Sequence, residues 1–303
     1  MRHHKRNYSI LSGFQYYTPG VGGMFALLLW LLAGAVLGSV VSAALSLAMG
    51  GLDTAYITLI SYPIMFVPPL VYASFKSHRN ALFDTGFALD NNHFGASGAW
   101  VAALVAAAAT LACAFVCDGL TTLLPPMPDW LEELLKSMTG GTLWINLLCV
   151  SVLAPLCEEW LCRGMILRGL LNHKREDGTT MHPGWAIVIS SVFFAVIHGN
   201  PWQAVPAFLL GCLFGYVYYR TGSLKLTMLM HCVNNTFAVI MSRIPAFEDA
   251  TDWTDILEPR MYWLIAAACV LLLVLSIRFF GRIPLTKKSG NCDVTSLTAG
   301  DKF

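Results

Sequence analysis

Charge is what this sequence has least of: only 12% of its 303 residues are Asp, Glu, Lys or Arg, while 56% are hydrophobic. That is about half the charged share of an ordinary soluble domain, so a water-soluble globular fold is excluded. Disorder is excluded with it, because a disordered chain combines low hydrophobicity with high charge. A formal net charge of +1 gives no footing on a phosphate backbone, and no nucleic-acid partner is expected. No internal repeat, no separately folding soluble domain, no HExxH zinc helix and no prenylation signal at the C-terminus is present. The nine cysteines are odd in number. Seven of them (113, 117, 149, 157, 162, 212 and 232) lie in or beside apolar runs without metal-type spacing, so they read as small packing residues and not as a disulfide framework.

What is there is a series of uncharged runs. None of the four charged residue types occurs between Arg6 and Asp53, and further uncharged windows cover 54–75, 91–117, 137–157, 178–219, 226–242 and 261–277. A helix crossing the roughly 30 Å apolar layer needs about 20 mostly apolar residues, because its backbone polar groups must be satisfied within the segment. Each window holds one such helix, and 178–219 holds two, joined at His198-Gly199-Asn200-Pro201. The expectation is an all-α fold, a polytopic membrane bundle of about eight transmembrane helices near 22–48, 54–75, 96–118, 142–171, 184–199, 202–219, 223–243 and 260–280. The first run has the basic flank of a signal peptide, but its length and the seven runs after it make it an uncleaved first helix.

Basic residues favour the cytoplasmic side. With the N-terminus inside, Arg2, Lys5, Arg6, Lys76, Arg79, Arg168, Lys174, Arg175, Arg220, Lys225 and the basic tail all fall inside, and only Lys136, Arg243 and Arg260 fall outside. The acids Asp129, Glu132, Glu133, Glu248, Asp249, Asp252, Asp255 and Glu258 gather in two outer loops. A multi-pass cell-membrane protein with both termini cytoplasmic follows. Its expected organisation is three helices and an outer interfacial helix over 1–141, a chemical unit over 142–243, and a last helix with a polar, loose tail over 244–303. The interfacial helix is read from Pro128 to Lys136, whose apolar residues share one face.

Ionisable residues within spans are expensive, so each is a functional hypothesis. Glu158 and Glu159 stand about 14 residues, or roughly 20 Å, from the inner end of their helix. Glu159 and Arg163 are four apart and can pair, which leaves Glu158 pointing elsewhere and free for acid/base work. A structural ion pair or an interfacial helix end is the plainer alternative. His198 comes out at the same depth as Glu158, although a histidine beside a Gly-Asn-Pro turn also suits an interface. His231 and Asn235 lie one turn apart on one helix face, an arrangement suited to stabilising an oxyanion and equally to bonding helices together. His231 is the outlier in depth, only about 12 Å from the inner end of its span.

The ordered set EExxxR, FxxxH and HxxxN, at Glu158-Glu159-Arg163, Phe194-His198 and His231-Asn235, resembles the CPBP family of intramembrane proteases. That family includes type II CAAX prenyl endopeptidases and bacteriocin-processing or self-immunity proteins. The resemblance covers residues 142–243. It implies an endopeptidase in which Glu158 activates a water held with His198, His231 and Asn235 polarise the scissile carbonyl, and Glu159 and Arg163 give support. It also implies a membrane-associated peptide or protein substrate, lipidated or not, and contact with membrane lipid. A metal-free, glutamate-type site is expected, with zinc on Glu158, His198 and His231 as the alternative. Arg163 has a second possible use, attracting a substrate carboxylate. Two rival functions remain open here: a non-proteolytic scaffold or immunity protein of the same fold, and a proton-coupled transporter, whose typical repeated halves or broken helices are not evident in the sequence.

Overall fold

Proline and glycine decide how the apolar runs become helices and how closely those helices approach. The chain is seen here as a computed structural model, which describes residues 10–82, 86–139, 141–245 and 253–285. The polar tail from Lys287 and the acids Glu248, Asp249 and Asp252 lie outside the described residues. Among the described residues there is no strand.

Helix α1 is Val21–Ala48, α2 is Thr54–Ile64 and α3 is Val67–Asn80. The second and third form a single apolar stretch, Thr54–Asn80, with a break. Pro63 near the end of α2 and the prolines opening α3 lack the N–H groups that a continuous helix needs, and the chain turns at Met65–Phe66. Helix α1 leans on that break through Gly34 and Gly38. A Cβ on Gly34 would collide with the Met65 carbonyl oxygen, and one on Gly38 would lie 3.0 Å from that of Ser61. The spacing reads as ordinary close packing of helices, realised here against a broken neighbour.

Helix α4, Gly98–Thr121, turns Ala102, Ala106 and Ala109 inward. The amphipathic α5, Asp129–Thr139, buries Leu131 and contacts α2. At the centre lies α6, Leu143–Asn172, in which every residue from Trp160 to Asn172 is buried. Around it stand α7 (Pro183–Val196), α8 (Pro201–Thr221), α9 (Leu224–Met241) and α10 (Pro259–Gly281). Helices α7 and α8 form a hairpin whose close approach is set by Gly211 against Ser191 and by Gly215 against Ile187. Leu29, Leu32, Leu271 and Leu275 are exposed on α1 and α10 as a lipid-facing surface requires, and the two arginines of α10, Arg260 and Arg278, stand at its ends.

All eight expected helices are present, with α2 and α3 counted as one. Six are long and apolar enough to cross a membrane. Helix α7 has 14 residues, about 21 Å, less than the roughly 30 Å apolar layer. Helix α7 alone therefore does not cross that layer, and the hairpin turn after it carries a half-buried His198.

Arg168 differs from its expected place among the inner surface charges. It is completely buried and donates to the carbonyls of Gly164, Gln15, Phe87, Phe14 and Tyr17 at 2.6–3.3 Å. Its guanidinium anchors the segment preceding α1 to the central helix. Five fixed donors on one planar group match a cluster of carbonyls in a way that lysine cannot.

Candidate active site

Pro155 shapes the centre of α6. The segment Leu147–Leu153 is wound as a π-helix, and Trp160–Leu167 is wound the same way, with an α-helical turn, Ala154–Glu159, between them. Such widened turns are uncommon and gather at functional sites. The Ala154 N–H reaches back to the Cys149 carbonyl, and Pro155 has no N–H. The two groups that would serve the Val150 carbonyl in an α or a π turn are therefore engaged elsewhere or missing. Asn235 Nδ2 supplies the bond instead, at 2.8 Å.

The α-helical turn presents the two glutamates. Glu159 and Arg163 are fully buried and paired at 2.7 Å. Arg163 also donates to the Gly211 carbonyl at 3.2 Å, and its guanidinium lies 4.5 Å from the Phe194 ring and 5.4 Å from that of Phe214. This guanidinium is paired, desolvated and enclosed by rings, and is not placed to recruit a substrate carboxylate. A buried ion pair of this kind holds geometry more than it adds stability.

Glu159 Oε1 serves a second partner: His231 Nδ1 lies 3.1 Å away. The acceptor is a carboxylate oxygen, so Nδ1 carries the proton, and Nε2 is left facing Glu158 Oε2 at 3.9 Å. His231 thus stands between the two adjacent glutamates. The Glu158 side chain is 13% exposed and that of Glu159 is 0% exposed, so part of the former reaches the surface, although its Oε2 is itself buried. Tyr62 of α2 donates its hydroxyl to Glu158 Oε1. Glu158 Oε2 and Glu159 Oε2 have no hydrogen-bond partner among the described residues.

His231 meets the two glutamates although α9 starts shortly before it. Leu224 and Ser223 are buried, and Asp90 covers this end by accepting the Leu224 N–H at 3.0 Å and pairing with Lys225 at 2.9 Å.

Four of the six expected site residues, Glu158, Glu159, Arg163 and His231, meet directly. His198 is joined to them through Phe194, whose ring packs edge-on against His198 at 5.0 Å and against His231 at 5.5 Å. His198 Nδ1 lies 2.7 Å from the Phe194 carbonyl and donates to it, which directs the other nitrogen to its remaining surroundings. Asn235 is joined to the group through the helix that it clamps at Val150. Tyr62 is the contact that sequence reasoning misses: a tyrosine before a proline in an apolar run carries no sign of which helix it faces.

Among the described residues no group of three His, Cys, Asp or Glu is gathered as a metal site. In the alternative zinc set, His231 Nδ1 is engaged with Glu159, His198 Nδ1 with a carbonyl and Glu158 Oε1 with Tyr62. Glu158 Oε2 and His231 Nε2 face each other without a third donor joining them.

Residues 140–237 match the family described as type II CAAX prenyl endopeptidase, Rce1-like. Over 106 residues the chain is 29% identical to the membrane-embedded CAAX protease MroQ of Staphylococcus aureus (strain USA300). That alignment covers 34% of this chain and 42% of the relative, so the chain spans less than half the length of the curated protein it matches. No solved structure matches the chain.

Proposed function

We propose that this protein, whose residues 140–237 match the type II CAAX prenyl endopeptidase family, is an intramembrane endopeptidase acting through a glutamate-activated water. The observation that carries the reading is Glu158 itself. It is the more exposed of two adjacent carboxylates, held at one oxygen and without a hydrogen-bond partner at the other, opposite a histidine that the second carboxylate orients.

Glu158 Oε2 takes a proton from water, whose oxygen attacks the scissile carbonyl carbon; His198 holds the water. The carbonyl π pair becomes an oxyanion, which accepts from His231 Nε2–H and from the second Asn235 N–H. Collapse restores the carbonyl and breaks the C–N bond, and the leaving amine takes the proton back from Glu158. With both nitrogens of His231 protonated, the two carboxylates, Arg163 and His231 sum to zero charge. The later positive balance, once Glu158 is protonated, meets the negative oxyanion. A site that remains neutral suits an apolar surrounding, where unbalanced charge is costly. A positioned base contributes about 10²–10⁴-fold, and each oxyanion donor about 10²–10³-fold.

The substrate class is a peptide or protein held at the membrane, and both termini of the enzyme face the cytoplasm. A prenylated peptide assayed beside its unprenylated counterpart decides whether a lipid is part of recognition. The central test uses purified protein in proteoliposomes with quenched-fluorescent peptides. Glu158→Gln and His198→Ala abolish cleavage while insertion is retained, and full activity in either variant overturns the reading. Proton-driven flux without cleavage would mark a transporter instead.

A further inference from the structure

Glu158 is gripped by a helix that lies outside the family-matched segment, and the grip is at one oxygen only. We propose that Tyr62 is a positioning residue of the active site, so that the site is completed by α2 and not by residues 140–237 alone. This inference rests on the reading of Glu158 as the base.

The terminal torsion of a glutamate is broad and roughly two-fold, so a free carboxylate offers either oxygen in several orientations. The Tyr62 hydroxyl donates to Oε1 and removes that choice. Oε2 is left without a hydrogen-bond partner among the described residues, on the side of His231 Nε2. The arrangement survives the proton transfer: when Oε2 takes the proton, Oε1 becomes a carbonyl-type acceptor and still receives the Tyr62 hydroxyl. Tyr62 gives up no proton at any step.

Tyr62 is itself placed by features with no other evident purpose. It stands immediately before Pro63, where α2 breaks, and its carbonyl accepts the Met65 N–H at 3.1 Å. Its ring packs on Phe66 with centroids 5.6 Å apart. The carbonyls of Ser61 and Met65, on either side of it, lie against Gly38 and Gly34 of α1. A partly buried tyrosine needs a partner for its hydroxyl wherever it packs. The partner found here is the one carboxylate assigned to the chemistry, across 96 positions of sequence.

Tyr62→Phe removes one oxygen and keeps the ring on Phe66. Wild type, Tyr62→Phe and Glu158→Gln are compared in proteoliposomes for kcat, KM and thermal unfolding. The infrared difference between each protein and Glu158→Gln isolates the Glu158 carboxyl band. The expected result is a kcat lower by about tenfold or more with KM within about twofold, an unfolding temperature close to wild type, and a displaced Glu158 band. A kcat within about twofold of wild type, a loss expressed in KM alone, or an unmoved band overturns the inference. If wild type cleaves nothing, or Glu158→Gln cleaves, the proteolytic reading falls instead. The infrared comparison still reports on the Tyr62–Glu158 bond in that case.

Discussion

Glu159 and His231, 72 positions apart in the chain, meet at 3.1 Å, and the same glutamate oxygen lies 2.7 Å from Arg163. One buried carboxylate oxygen therefore joins α6 to α9 while orienting the imidazole that faces Glu158. The expectations below follow from this junction and from the packing that supports it.

Glu159→Ala leaves the Arg163 guanidinium buried without its counter-charge. The expected loss is about 3–5 kcal/mol of stability, because breaking one side of a buried pair strands the other. Thermal unfolding in detergent measures it. The double variant Glu159→Leu with Arg163→Leu regains part of the loss, since neither charge is then stranded.

Asn235→Ala exposes the consequence of Pro155. The Val150 carbonyl loses its donor, and an unsatisfied buried acceptor costs about 1–3 kcal/mol. Asn235→Asp is expected to be worse, because an ionised carboxylate cannot donate and repels the carbonyl. Unfolding temperature and cleavage rate fall together in both variants, with Asp below Ala.

Gly34→Val drives a side chain into the Met65 carbonyl and separates α1 from the break that carries Tyr62. A loss of about 1–3 kcal/mol is expected from overpacking, with lower kcat. Gly22→Ala on the same helix meets nothing within 4 Å and serves as the control. Equal behaviour of the two variants would contradict the packing described for α1.

Asp53 supplies a pH-dependent tie outside the spans. The Ala55 N–H, then the Thr142 N–H and hydroxyl, hold its carboxyl below its ordinary value of 3.8. A carboxyl with a depressed folded value contributes stability that is present above its unfolded value and lost as pH falls through the folded one. The protection of the Thr142 amide, relative to a free amide at the same pH, should therefore hold at neutral pH and fall only below about 3.8. Asp53→Asn removes that dependence.

Chelation tests the choice between a metal-free and a zinc site. Cleavage is expected to persist in excess chelator, and elemental analysis of purified protein to find no stoichiometric zinc. Loss of activity restored by added zinc would establish the alternative.

Helix number and class were legible because they depend on local quantities. Uncharged runs of sufficient length must be helical in an apolar layer, whatever surrounds them. Motif spacing was legible for the same reason: Glu159 and Arg163 are one turn apart on any helix, and so are His231 and Asn235. The depth of His231 was counted from a water boundary, and Arg168 was placed among the charges of the inner surface. The Asp90 cap and the buried carbonyl cluster around Arg168 put protein where water was assumed.

By itself, then, the sequence determined an all-helical membrane bundle and named the ionisable groups that such a bundle would not hold without reason. Only the tertiary structure decided that the carboxylate paired with Arg163 also holds His231, and that a tyrosine from α2 holds the other. Those decisions turn on helix breaks at Pro63 and Pro155 and on close approach at Gly34 and Gly211. A periodicity reports the face of one helix, whereas a contact between helices requires the direction of both.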